Sequence, residues 1–146
     1  MTTDAGPTKW RWAAAAAAAA FGVATVVAGG RVLFGGASAR EAAGAYVDFV
    51  VRFNFGAGFA YVVAAAGLAL RRRWSTRLAI AIAGATALVF AALVVHIAAG
   101  GAFERRTVAA MTIRCVFWLV LAAAGTRLLG ARSPVERAGP ERRGRG

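Results

Sequence analysis

Four ionisable residues lie inside otherwise apolar stretches of the chain, and their chemistry could carry a function. They are Asp48, Arg52, His96 and Arg114. A charged side chain at membrane depth is costly, so it usually faces protein, water or a bound ligand. Because the four belong to three different stretches and sit toward the same predicted end of each, we expect them to form one polar, net positive, ligand-binding pocket.

The spacing of these residues indicates how such a pocket would be built. Asp48 and Arg52 are four residues apart and can pair on one face of a helix. Arg114 shares a helical face with residues one turn before and after it. Its expected partner is Asp48, with Glu104 as the alternative. The residues that could form the wall of the pocket are Tyr46, Phe49, Asn54, Met111 and Trp118.

Each of these residues also has a purely structural interpretation. Asp48 and Arg52 can be a structural ion pair, and Arg52 can extend to the membrane surface. His96 can be a hydrogen-bonded packing residue, and Cys115 a small core residue. Asn54 lies on a different face from Arg52 and can bond to another helix or subunit instead.

The inventory of reactive side chains favours a non-catalytic protein. One histidine and one cysteine without an acidic cluster cannot supply a four-ligand zinc site. No nucleotide-binding motif is present, and the serines fall in loops or in the tail. We therefore assign no catalytic residue and no metal ligand, and the cofactor stays open.

Four long apolar stretches must position these side chains. Their expected bounds are 13–34, 43–70, 78–99 and 107–129, and no proline lies between Pro7 and Pro134. About 20 apolar residues in a helix cross a hydrocarbon core roughly 30 Å thick. The stretches lack the alternation of barrel strands. The sequence therefore predicts an all-α integral membrane protein, a four-helix antiparallel up-down bundle over residues 13–130.

The charge of the chain follows the same plan. Its 146 residues are 60% hydrophobic and carry a net charge of +12, and the mean hydropathy is +0.62. Basic residues concentrate in the N-terminal segment 1–12, in the connection 71–77 and in a tail, 131–146, that we expect to be disordered. The positive-inside rule places these segments in the cytoplasm, in a bacterial inner membrane. The tail suits anionic lipid headgroups better than nucleic acid.

The first stretch has a second interpretation. Lys9 and Arg11 precede it, and residues 37–39 resemble a signal-peptidase site. A cleaved signal peptide would leave three spans. The stretch is longer than a usual signal core, which favours a retained helix.

Three functions follow as hypotheses. The first is a membrane subunit or binding protein whose outward-facing pocket holds a lipid headgroup, a quinone or an anion. The second is a small homo-oligomeric transporter or channel that uses Asp48 and His96 to carry protons. The third is a membrane redox subunit or enzyme using His96, Arg114 and Cys115. The expected partners are membrane lipids and either a second copy of the chain or a larger membrane complex.

Overall fold

Five helices make up the regular structure of the described chain. The computed structural model describes residues 7–130, with side chains for 9–126, and contains no strand in that range. The helices are α1 (Pro7–Phe34), α2 (Gly36–Ala43), α3 (Asp48–Ala69), α4 (Arg73–Ala98) and α5 (Arg105–Gly130). Four of them, α1, α3, α4 and α5, are long and apolar enough to span a membrane. The predicted tail, 131–146, lies outside the described residues.

The second span begins later than the sequence suggests, because an extra short helix precedes it. We expected helix from about residue 43, whereas α2 ends at Ala43 and α3 begins at Asp48. Gly44 separates them with a positive φ of 67°, a conformation that glycine adopts readily and other residues avoid. A run of apolar residues does not reveal such a break, because hydropathy carries no information about backbone conformation.

The other helix starts lie outside the apolar runs. Helix α1 begins at Pro7, where the fixed φ of proline favours a first turn. Helix α4 begins at Arg73, five residues before the expected start, and the hydroxyl of Ser75 donates to the carbonyl of Arg72 at 2.8 Å. Arginine is a good helix former, so each helix continues past its apolar stretch into the basic flank.

Glycines allow α1 and α3 to pack closely. A Cβ at Gly58 would lie 2.7 Å from Val26 Cγ2 and 3.0 Å from the carbonyl oxygen of Gly22. Farther along α1, Gly29 faces Phe55. Small residues at such positions let two backbones approach, which is how helices associate where no water drives them together.

The long helices pack in the order α1, α3, α4 and α5, and the last of them closes against the first only loosely. Backbones pack closely between α1 and α3, α3 and α4, and α4 and α5, but not between α1 and α5. Those two helices meet through side chains, among them the rings of Phe21 and Phe117, whose centroids are 5.3 Å apart. We call this loosely closed boundary the α1/α5 seam.

Two clusters of buried apolar side chains fill the interior. The first contains Tyr61 and Trp118, both fully buried, with alanines from several helices. The second joins Val50, Leu93 and Met111. Outside these clusters large apolar side chains stay exposed, such as Leu88 at 74% and Val95 at 68%. An apolar surface of this kind suits contact with lipid chains.

Candidate functional site: a cavity in the α1/α5 seam

Asp48 and Arg52 form the ion pair that their spacing predicts. Arg52 Nε donates to Asp48 Oδ2 at 2.7 Å. The side chain of Asp48 is 58% exposed and that of Arg52 is 71% exposed, so the pair lies on the surface of the molecule. An exposed pair of this kind contributes little to stability. Asp48 is thus engaged by its neighbour on α3, and the expected pairing of Asp48 with Arg114 is wrong.

His96 lies at the C-terminal end of α4 and bonds to the turn that follows. Its Nε2 is 3.1 Å from the carbonyl oxygen of Ala102, and its ring meets that of Phe49 at 6.2 Å in an edge-on arrangement. Phe49 is 41% exposed. The contacts of His96 are therefore those of a residue that closes the α4–α5 turn.

Arg114 projects from α5 across the seam toward α1. One terminal nitrogen, Nη2, donates to the Thr25 hydroxyl at 3.3 Å. The guanidinium carbon lies 5.4 Å from the centre of the Phe21 ring. Arg114 is nine residues past the start of α5, about 13 Å along the helix at 1.5 Å per residue. The charge is therefore deep within the length of the helix.

A cavity of 380 Å³ opens beside Arg114. Helices α1, α3 and α5 each contribute several lining residues, and the end of α2 adds one more. On α5 the lining extends from Arg106 to Arg114, eight residues or about 12 Å. Its volume is within the usual range for small-molecule sites. The lining residues are Thr25, Ala28, Gly29, Val32, Ala43, Tyr46, Val50, Val51, Asn54, Arg106, Thr107, Ala110 and Arg114.

Two polar atoms of cavity-lining residues are buried without a hydrogen-bond partner. They are Arg114 Nε, a donor, and Asn54 Oδ1, an acceptor. The amide nitrogen of Asn54 donates to Met111 Sδ at 3.6 Å, which fixes the other end of the amide. A buried polar group without a partner costs about 1–3 kcal/mol. Both atoms have essentially no solvent-accessible surface, so they face neighbouring protein atoms and not the open space of the cavity.

Arg114 has no acidic partner in the described part of the chain. Among side chains 9–126 the one ion pair is that of Asp48 and Arg52. Glu104, the other expected partner, accepts from the backbone nitrogen of Ala45 at 3.0 Å instead. A positive charge at this depth is thus left without a balancing acidic group among side chains 9–126.

Arg106 and Glu104 tie one end of the cavity to α2 and the segment after it. Arg106 Nη2 donates to the carbonyl oxygens of Ala42 at 3.0 Å and Ala43 at 2.6 Å. Both Arg106 and Ala43 line the cavity. The carbonyls at the end of α2 have no helical partners of their own. This group of contacts, the α2 latch, holds the polypeptide across that end.

The structure brings together some of the predicted site residues and separates others. Arg114, Asn54 and Tyr46 line the cavity, and Met111 contacts Asn54. Asp48, Arg52 and His96 are not part of the lining. Trp118 is buried one turn beyond Arg114, with its ring 4.7 Å from that of Tyr61.

Sequence reasoning missed Thr25 and Arg106 as site residues. A single hydroxyl in an apolar run resembles a packing residue, and Arg106 resembles an ordinary charge at a helix start. One signal was available: Thr25 is the only polar side chain between Trp12 and Arg31. The described residues contain no cluster of three or more histidine, cysteine, aspartate or glutamate side chains that could hold a metal ion.

No protein-family model matches the chain, and neither the curated proteins nor the solved structures include one that is significantly similar. Its class follows from its helices. Four of them are long and apolar enough to cross a membrane, which indicates a multi-pass membrane protein.

Proposed function

We propose that this protein is a non-catalytic membrane subunit or binding protein that holds an amphipathic molecule in the cavity of the α1/α5 seam. The observation that carries the proposal is Arg114, a deep cation without an acidic partner among side chains 9–126, at the inner end of a 380 Å³ cavity. Ligand sites are mostly apolar, with a few polar groups that orient the ligand. The apolar lining and the few polar groups beside Arg114 match that description.

The seam provides a route from the bilayer. Because the backbones of α1 and α5 do not pack closely, an apolar chain can lie between the two helices while its polar head reaches Arg114. Residues such as Ala28, Val32 and Ala110 would contact that chain. The ligand therefore enters laterally from the bilayer, between α1 and α5.

The orientation in the membrane follows from charge and from the helix contacts. Gly22 of α1 contacts Gly58 of α3, and Gly29, farther along α1, contacts Phe55, which comes earlier in α3. The two helices therefore run in opposite directions, as in an antiparallel bundle. The basic connection at Arg71–Arg73 and both termini would face the cytoplasm of a bacterial inner membrane. The cavity then opens toward the outer leaflet, with α1 retained as a span.

The contacts of the remaining candidates do not favour transport or redox chemistry. Asp48 is paired on the surface, and His96 bonds to the carbonyl of Ala102. Neither lines the cavity. A ligand-binding role depends instead on the residues that line the cavity. Such a role suits a subunit that associates with a second copy of the chain or with a larger membrane complex.

Native mass spectrometry of the protein, extracted in a mild detergent, tests the proposal. We expect the wild-type chain to carry a lipid-sized adduct, and Arg114→Gln to lose at least nine-tenths of it. Arg52→Gln is the matched control, because Arg52 is an arginine near the same end of the molecule that does not line the cavity. An absent adduct in wild type, or equal adducts in Arg114→Gln and wild type, would contradict the proposed function.

A further inference from the structure

We infer that the ligand is an anionic lipid, whose headgroup balances the charge of Arg114. This inference rests on the proposed function, since it concerns the same cavity. It chooses among the three chemistries that fit a polar pocket in a membrane: a charged lipid headgroup, a neutral quinone and a free anion.

The negative charge follows from Arg114. The arginine side chain is positive at every accessible pH, and burial of an unbalanced charge is unfavourable. None of the acidic side chains at this end pairs with Arg114: Asp48 pairs with Arg52, Glu104 accepts from Ala45, and Glu41 is exposed on α2. An anionic headgroup in the cavity that Arg114 lines would supply the missing charge. A neutral quinone would leave the charge unbalanced.

The size of the cavity indicates which part of a lipid it can hold. A water molecule occupies about 30 Å³ of liquid, so 380 Å³ corresponds to roughly a dozen waters. That space holds a headgroup and the first part of its chains but not a whole phospholipid. The rest of the lipid would extend through the α1/α5 seam into the bilayer, which distinguishes a lipid from a soluble anion.

Binding of defined lipids to delipidated full-length protein in detergent tests each part of this inference. The four probes are phosphatidylglycerol, phosphatidylmethanol, phosphatidylcholine and a short-chain ubiquinone. Phosphatidylglycerol and phosphatidylmethanol share the negative charge and differ in the rest of the headgroup. We expect these two anionic lipids to bind with affinities within about threefold of each other, and each to bind at least thirtyfold more tightly than the two probes without a net charge.

Two variants of Asn54 make the test specific. Asn54→Asp places a carboxylate in the lining of the cavity that Arg114 also lines, so we expect the chain to balance its own charge and to bind phosphatidylglycerol at least tenfold more weakly. Asn54→Leu changes the same position without adding a charge, and it should keep the preference for phosphatidylglycerol over phosphatidylcholine. Arg52→Gln should behave as wild type. Circular dichroism melting of each variant establishes that it is folded.

The outcomes distinguish the two levels of the argument. Equal binding of phosphatidylcholine or ubiquinone overturns the anionic lipid while leaving a binding protein. Binding of none of the four overturns the proposed function as well. Displacement of phosphatidylglycerol by millimolar glycerol 3-phosphate overturns the lipid in favour of a soluble anion, and full affinity in Asn54→Asp overturns the role given to Arg114.

Discussion

Arg114 and Asn54 differ from the polar residues deeper in the interior in what surrounds them. Arg114 and Asn54 line a cavity, where a ligand can contact their side chains. Tyr61 and Thr86 are fully buried in the packed interior, and the Tyr61 hydroxyl, Thr86 Oγ1 and Trp118 Nε1 have no hydrogen-bond partner. A polar side chain that lines a cavity can take part in binding, whereas an unmet polar atom in the packed interior is only a cost to stability.

Tyr61→Phe tests that distinction. The substitution removes a buried hydroxyl that makes no hydrogen bond and keeps the aromatic contacts with Phe21 and Trp118. We expect the free energy of unfolding to be unchanged or to rise by up to about 1 kcal/mol, with phosphatidylglycerol binding unaffected. Denaturation in detergent, followed by circular dichroism, measures the change. A loss of more than about 1 kcal/mol would show that the hydroxyl is bonded in the folded protein.

At the scale of the elements, the close approach of α1 and α3 depends on Gly58. A methyl group there would press on the backbone oxygen of Gly22 as well as on Val26, and a backbone cannot move aside as a flexible side chain can. We expect Gly58→Ala to lower the free energy of unfolding by about 1–3 kcal/mol, measured by denaturation in detergent.

Gly56 provides the matched control for Gly58. It lies on the same helix, and nothing stands within 4 Å of a Cβ added to it. Gly56→Ala should therefore be neutral or stabilising by up to about 1 kcal/mol, because alanine is the better helix former. If the two variants were equally destabilised, the loss would come from the helix itself and not from its contact with α1.

The α2 latch is the second arrangement at this scale. Arg106→Ala removes both bonds to the end of α2, so we expect the amides of residues 36–47 to exchange hydrogen about tenfold faster, which corresponds to about 1.4 kcal/mol. Local opening of this kind leaves the rest of the fold protected. Arg105→Ala, at the neighbouring exposed position, is the control. Unchanged exchange in Arg106→Ala would mean that α2 is held by its contacts with α1 and by the bond from Ala45 to Glu104.

At the scale of the whole molecule, the sequence predicts the four spans but does not predict which faces of the helices contact one another. A span is a local property of composition, so the apolar runs predict α1, α3, α4 and α5. Arg114 stands out because it interrupts such a run. The partner of Arg114 is Thr25, 89 residues away, and that pairing depends on how α1 and α5 face each other. The turn at Gly44 is equally invisible, since it is a matter of backbone conformation.

The orientation of the molecule in the membrane is the last prediction, and it decides which leaflet supplies the ligand. With Cys115 replaced by alanine, single cysteines at Leu70, which is 66% exposed between α3 and α4, and at Ala102, which is exposed before α5, report the two ends. Because basic connections stay in the cytoplasm, a membrane-impermeant maleimide should label Ala102→Cys in intact cells and Leu70→Cys only after lysis. The reverse pattern would place the cavity on the cytoplasmic side, and the ligand would then come from the inner leaflet.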